Sequence, residues 1–250
     1  MKRLLATGIS IACVLFAGGA DAALVKTGNL VLTADGGFTP RALPRRTFAP
    51  IDFDGHADLR AVDGSLPPAL QQLELDFDRN GRLSTAGLPI CQPALLEEAT
   101  PAEARSRCRE AIVGTGHVGA LIALGEGPPI AVSSLLTLFN GPRQEGHPTV
   151  ILHARTTTPA VQTFVITVPI EERGGLYRYR TIIDIPPIAG GHGSLTHLDV
   201  KVGRRYRFQG TERSYTAARC GDGVFRTHGR FTFAEGLIVY GDVEKGCTVR

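Results

Sequence analysis

The sequence predicts an all-β protein, an antiparallel β-sandwich of jelly-roll type with a short disulfide-bounded helical insert. Three observations predict it. From about Thr47 onward, short alternating runs rich in Val, Ile, Phe, Tyr and Thr recur between clusters of Gly, Pro, Asn and Asp, which is the pattern of strands joined by tight turns. One segment, Pro93 to Ala111, is instead made of helix formers. Four cysteines, Cys91, Cys108, Cys220 and Cys247, are spaced as two flanking pairs.

The chain opens on Lys2 and Arg3, an apolar run from Leu4 to Phe16 and small residues ending in Ala20-Asp21-Ala22. This reads as a signal peptide over residues 1–22, cleaved before Ala23. Its apolar stretch falls short of the roughly 20 residues a spanning helix needs, and no second long apolar run follows. The expected location is secreted, periplasmic or cell-envelope, with no membrane span after cleavage, and there disulfides persist. Cys13 lies within the leader and lacks the residue pattern of a lipidation site. The remaining chain of about 228 residues buries enough surface for a core without metal or cofactor.

Residues 23–46 read as an N-terminal arm with one or two short strands, because turn residues fall at Asp35-Gly36-Gly37, Pro40 and Pro44-Arg45-Arg46. Residues 47–250 form the β domain, with the helical insert at 92–110. In the insert Pro101 interrupts the helix formers and Thr100 is available as a cap, so one or two short helices are expected there. Cys91 and Cys108, 17 positions apart, bound the insert, and Cys220 and Cys247, 27 apart, flank the last hairpin. Local pairing, 91–108 and 220–247, is the economical choice among three connectivities. Each bridge contributes on the order of 3 kcal/mol.

Period-two alternation assigns faces. It puts Tyr177, Tyr179, Ile183 and Ile185 inward with Arg178, Arg180 and Asp184 outward, and Tyr206 and Phe208 inward with Arg205 and Arg207 outward. Phe164, Ile166 and Val168 form another inward set, as do Val150 and Leu152. Phe225, Phe231 and Phe233 go inward with Arg226, His228 and Arg230 outward, and Ala234-Glu235-Gly236 joins this strand to the next as a short hairpin.

Motifs for chemistry are weak. Gly114-Thr-Gly116-His-Val-Gly119 matches the spacing of a dinucleotide-binding loop, but no βαβ context surrounds it, so the glycines are read as strand positions of close backbone approach. Asp76, Asp78 and Asn80 resemble the start of a calcium loop whose twelfth position, Gly87, lacks the closing carboxylate. A turn is the simpler reading, and weak calcium binding there is left open. Ser194 lies near His192 and His197 without a nucleophile-elbow motif. No catalytic residue, metal ligand or cofactor is assigned.

Charge is uneven. Residues 52–110 carry a balance of −5 and residues 173–230 one of +7. If their strands share a sheet, Arg178, Arg180, Arg205, Arg207, Arg226 and Arg230 form a basic face for an anionic polysaccharide or a lipid headgroup. Nucleic acid is disfavoured as a partner, because the aromatic residues alternate inward instead of interleaving with the arginines.

The runs Leu43-Pro-Arg-Arg-Thr-Phe-Ala-Pro50, Gly87-Leu-Pro-Ile-Cys91, Ile112-Val-Gly114-Thr-Gly116 and Ile188-Ala-Gly-Gly191, with Cys108, resemble a group of uncharacterised exported bacterial all-β proteins. In these a Cys-bounded helical insert precedes an Ile-Gly-x-Gly strand, and Val113 stands where Ile is usual. The resemblance implies a secreted β protein and assigns no catalytic residue. The expectation from sequence is therefore a non-catalytic binding or scaffold protein. The alternative is a hydrolase of envelope carbohydrate or lipid on a jelly-roll scaffold.

Overall fold

The computed structural model describes residues 22–250, so the predicted leader lies, apart from Ala22, outside the described residues. In chain order the strands are β1 (Ala23–Thr27), β2 (Leu30–Thr39), β3 (Ala42–Leu43), β4 (Ala49–Pro50), β5 (Asp52–Ala61), β6 (Leu70–Asp78) and β7 (Gly81–Leu83). Helix α1 (Pro101–Arg107) follows, then β8 (Ile112–Ile122), β9 (Ile130–Gln144), β10 (His147–Thr156), β11 (Gln162–Glu172), β12 (Tyr177–Asp184) and β13 (Gly193–Val202). The chain ends with β14 (Arg205–Phe208), β15 (Thr211–Ser214), β16 (Thr216–Ala218), β17 (Val224–Phe233), β18 (Ile238–Gly246) and β19 (Thr248–Val249).

The all-β expectation holds. Twelve strands form one ladder in the order β1-β2-β5-β13-β8-β9-β10-β11-β12-β6-β17-β18, and β18 returns to lie beside β1 and β2. Leu30, Leu32 and Leu59 from one end pack with Leu70, Leu73, Phe231, Phe233 and Val239 from the other. Packing of the two end regions on each other leaves the sheet nearly closed. Where the sequence suggests two facing sheets, hydrogen bonding runs continuously through the twelve strands.

Local sequence explains the tight connections. Glu145-Gly146 joins β9 to β10 and Gln209-Gly210 joins β14 to β15, each with positive φ at both residues, as the two-residue turn that matches strand twist requires. Ala234-Glu235-Gly236 makes the expected link from β17 to β18, with Glu235 and Gly236 at positive φ.

Two local expectations change. The arm residues Asp35-Gly36-Gly37 are not a turn but mid-strand, since β2 pairs with β5 over all ten residues, from Leu30↔Ala61 to Thr39↔Asp52. A Cβ at Gly36 would lie 3.1 Å from the Asp54 carbonyl oxygen, so glycine there serves close strand approach. Tyr177 is not inward. The β12–β6 register shifts between Tyr177 and Tyr179, and this bulge moves Tyr177 to the outer face, where its ring centroid lies 6.3 Å from that of His228.

The insert forms as expected. Thr100 and Glu103 make a reciprocal capping box and Pro101 occupies the first turn, a cap worth about 1 kcal/mol. Leu96, Ala99, Ala104 and Ala111 cover Phe139 and Ile151 on the outer face of β9 and β10. The Cys91–Cys108 disulfide ties the base of this cover. The Cys220–Cys247 disulfide packs with Phe38, Leu43, Ile51 and Phe225.

Candidate ligand-binding cavity

The inward residues of the main sheet do not meet at its centre. Leu73 of β6 and Leu198 of β13 line all three of a set of adjoining apolar chambers, of about 220, 120 and 100 Å³. The expected inward sets are there: Val150 and Leu152 from β10, Val168 from β11, and Ile183 from β12 line the largest chamber, while Phe164 and Ile166 line the second. Several of these apolar side chains, among them Leu152, Ile166 and Leu198, are only partly buried although they point inward. They border space instead of packing against a partner.

The largest chamber is closed on one side by β7 and β16, which contribute Leu83, Thr216 and Ala217 through the small β4-β16-β7 sheet. Polar groups there are few. The Leu83 N–H donates to the Tyr179 hydroxyl at 3.1 Å, and the Thr216 hydroxyl donates to the Ile51 carbonyl at 2.8 Å. Tyr215 is 2% exposed, and burial pushes its phenol above the usual range. No hydrogen bond reaches its hydroxyl among the described residues. Beside this chamber lies a half-polar cleft of about 400 Å³ with Arg143, His147 and Glu172 in its wall. The cleft shares Leu83, Ile170 and Tyr179 with the chamber, so these three side chains separate the apolar interior from a surface opening.

No protein-family model, curated protein or solved structure matches the chain.

The six arginines do not share one face. Arg180 on β12 and Arg226 and Arg230 on β17 flank β6 on one outer face, while Arg178 falls in the β12 bulge without a β6 partner and sits over the Phe48 and Tyr179 rings. Arg205 and Arg207 sit on the separate β14–β15 hairpin. The main-sheet arginines are interleaved with acids. Arg180 reaches Glu74 at 2.8 Å and Asp76 at 2.7 Å, Arg178 reaches Glu172 at 2.9 Å, and Arg226 reaches Asp222 at 3.2 Å and Glu244 at 3.3 Å.

The calcium-like residues also have protein partners. Asp76 pairs with Arg180, Asp78 accepts from the Asn80 and Arg226 backbone N–H groups, and the Asn80 amide donates to Asp222. Burial pushes the Asp78 carboxyl above the ordinary range. Gly114, Gly116 and Gly119 lie within β8, and a Cβ at Gly114 would approach the Lys201 carbonyl oxygen to 2.6 Å. The Ser194 hydroxyl donates to the Pro67 carbonyl at 2.6 Å and is buried.

Proposed function

We propose that the protein is a secreted or cell-envelope binding protein that holds one small, mainly apolar molecule inside its nearly closed sheet. The observation that carries this reading is the chamber centred on Leu73 and Leu198. Its walls are apolar side chains that border a space of about 220 Å³ instead of touching one another, and an apolar ligand there would supply the dispersion contacts they lack. The Tyr215 hydroxyl is the group available to meet a single polar end of such a ligand. Tyr179, Leu83 and Ile170 form the passage from the half-polar cleft.

The distribution of polarity supports an aqueous setting. Apolar side chains point in and charged ones, such as Arg180 and Glu74, point out, the reverse of a barrel that faces lipid. The two disulfides agree with an exported protein. An anionic polymer on the arginine face is the weaker reading, because Arg178, Arg180 and Arg226 already face carboxylates. A hydrolytic role finds little support in the two chambers that hold Leu152. Their lining includes hydroxyl residues and Arg82 but no carboxylate or histidine.

The test is titration of the purified mature protein with a fluorescent apolar dye. Saturable binding, with one dye per chain and displacement by a medium-chain hydrocarbon or fatty alcohol, is expected. A linear, unsaturable signal equal to that of an inert protein would remove the proposal.

A further inference from the structure

The sequence contains two His-x-Asp triplets, His56-Ala57-Asp58 on β5 and His197-Leu198-Asp199 on β13. The two strands pair antiparallel in a register that sets His56 opposite Asp199 and His197 opposite Asp58. Period two puts both members of each triplet on one face, here the outer one, since Leu198 lines the interior chambers and pairs with buried Ala57, while the His56, Asp58 and His197 side chains are exposed. The result is a square of alternating imidazole and carboxylate in the middle of the sheet.

The contacts within the square are short. Asp58 Oδ2 lies 2.6 Å from His56 Nε2, and Asp58 Oδ1 lies 2.8 Å from His197 Nδ1. The two rings meet edge to face with centroids 5.1 Å apart. The second nitrogen of His197, Nε2, is 3.2 Å from Asp199 Oδ2, and that carboxylate also approaches His117 Nδ1 on β8 at 3.5 Å.

We propose that His56 Nε2, the Asp58 carboxylate and His197 Nδ1 form a three-ligand site for a borderline divalent metal ion of the zinc type, with Asp199 orienting His197. One ligand atom from each residue lies within 4.8 Å of the others, so small side-chain rotations bring all three to the 2.0–2.2 Å at which zinc is bound. A ligating imidazole characteristically gives its other N–H to a carboxylate, which selects the tautomer and aims the free lone pair at the metal. Asp199 does this for His197. Two imidazoles and a carboxylate suit zinc, nickel or copper better than calcium or magnesium. The side chains of His56, Asp58 and His197 are 42%, 49% and 38% exposed, which gives an ion access and leaves its fourth position to water. The ligands stand on two paired strands and not on a loop, so the backbone holds their spacing.

The experiment uses untagged mature protein, freed of metal and titrated with zinc chloride in a calorimeter. One ion per chain is expected. His56→Ala and His197→Ala should each weaken binding by more than about tenfold, and Asp199→Asn by about tenfold, the range seen for orienting partners. Cobalt(II) added to the wild type should give the intense visible bands of four-coordinate cobalt, absent in His56→Ala. Circular dichroism checks that the exposed-face variants remain folded. Absence of both zinc heat and cobalt bands in the wild type overturns the proposal, as does unchanged affinity in the folded His56→Ala/His197→Ala double variant.

Discussion

Arg180 holds Asp76 through two parallel hydrogen bonds, Nε to Oδ1 at 2.8 Å and Nη2 to Oδ2 at 2.7 Å. Asp76 is 5% exposed and sits on β6, so the bond staples β12 to β6 across the register pair Arg180↔Asp76. An arginine committed in this way is structural before it is a ligand contact. Arg226 plays a similar part toward Asp78, donating its backbone N–H to Oδ2 at 3.2 Å.

Removing the Arg180 guanidinium leaves a buried carboxylate without its partner. Arg180→Ala should therefore cost about 2–3 kcal/mol, read as a lower urea midpoint with unchanged slope. Adding Asp76→Ala should restore part of the loss. Equal stability of Arg180→Ala and wild type would show the pair to be a surface contact of little weight.

Leu198 lines every chamber, which makes it the position where cavity size and stability can be separated. Leu198→Phe should fill space, leaving thermal stability equal or higher while lowering dye affinity. Leu198→Ala should enlarge the space and cost about 2–3 kcal/mol while still admitting the dye. Both variants binding like wild type would place the dye elsewhere.

The helical insert depends on its covalent tie. The Cys91–Cys108 bridge closes a loop with a sequence separation of 17, for which chain entropy gives about 3 kcal/mol. The Cys91→Ala/Cys108→Ala double variant should lose that much. Amide exchange should rise first at Ala99 to Ala111 and at Phe139 and Ile151 beneath them, because the insert is what buries those two side chains.

His153 sits under the insert, 0% exposed, with Nε2 3.1 Å from the Ala99 carbonyl oxygen and no hydrogen-bond partner for Nδ1 among the described residues. Burial holds its imidazole below the usual range. The unfolded chain then takes up a proton more readily than the folded one, so the His153 contribution is whole above the unfolded value of about 6.5 and shrinks as pH falls below it. Between about pH 7 and pH 5 the melting temperature should drop more steeply in wild type than in His153→Gln, whose amide N–H can still reach Ala99. Parallel curves for the two proteins would assign the acid sensitivity to other groups.

Much of the fold is legible in the sequence because strand alternation and turn chemistry are local. Phe225, Phe231 and Phe233 are inward and buried as their period-two spacing demands, Thr100 caps the helix within the run of helix formers, and both disulfides take the short-range pairing. The departures arise where the outcome depends on a neighbouring strand. The bulge that turns Tyr177 outward is set by its register with Asp78 and Phe77. Gly36 and Gly37 look like a turn until Gly36 is seen opposite Gly55 on β5. Arg205 and Arg207 alternate like the other arginines but belong to a different sheet.

The interior could not be read in advance for the same reason. Alternation says that Leu152, Ile183 and Leu198 point in, but whether opposite walls touch or leave a chamber depends on the curvature of twelve strands. The His-Asp square had a local sign, the repeated His-x-Asp triplet. Its meaning rests on the pairing of β5 with β13, which are separated in the chain by seven intervening strands.

The central claim, an apolar ligand inside the sheet, is most directly tested by methyl-labelled NMR of the mature protein titrated with a medium-chain fatty alcohol. Saturable shifts are expected for the methyl groups of Leu73, Leu152, Ile183 and Leu198, with those of Ile151, on the opposite side of β10 beneath the insert, unmoved. Methyl signals that stay in place to the solubility limit of the alcohol, or that shift only on the outer face, would contradict the account.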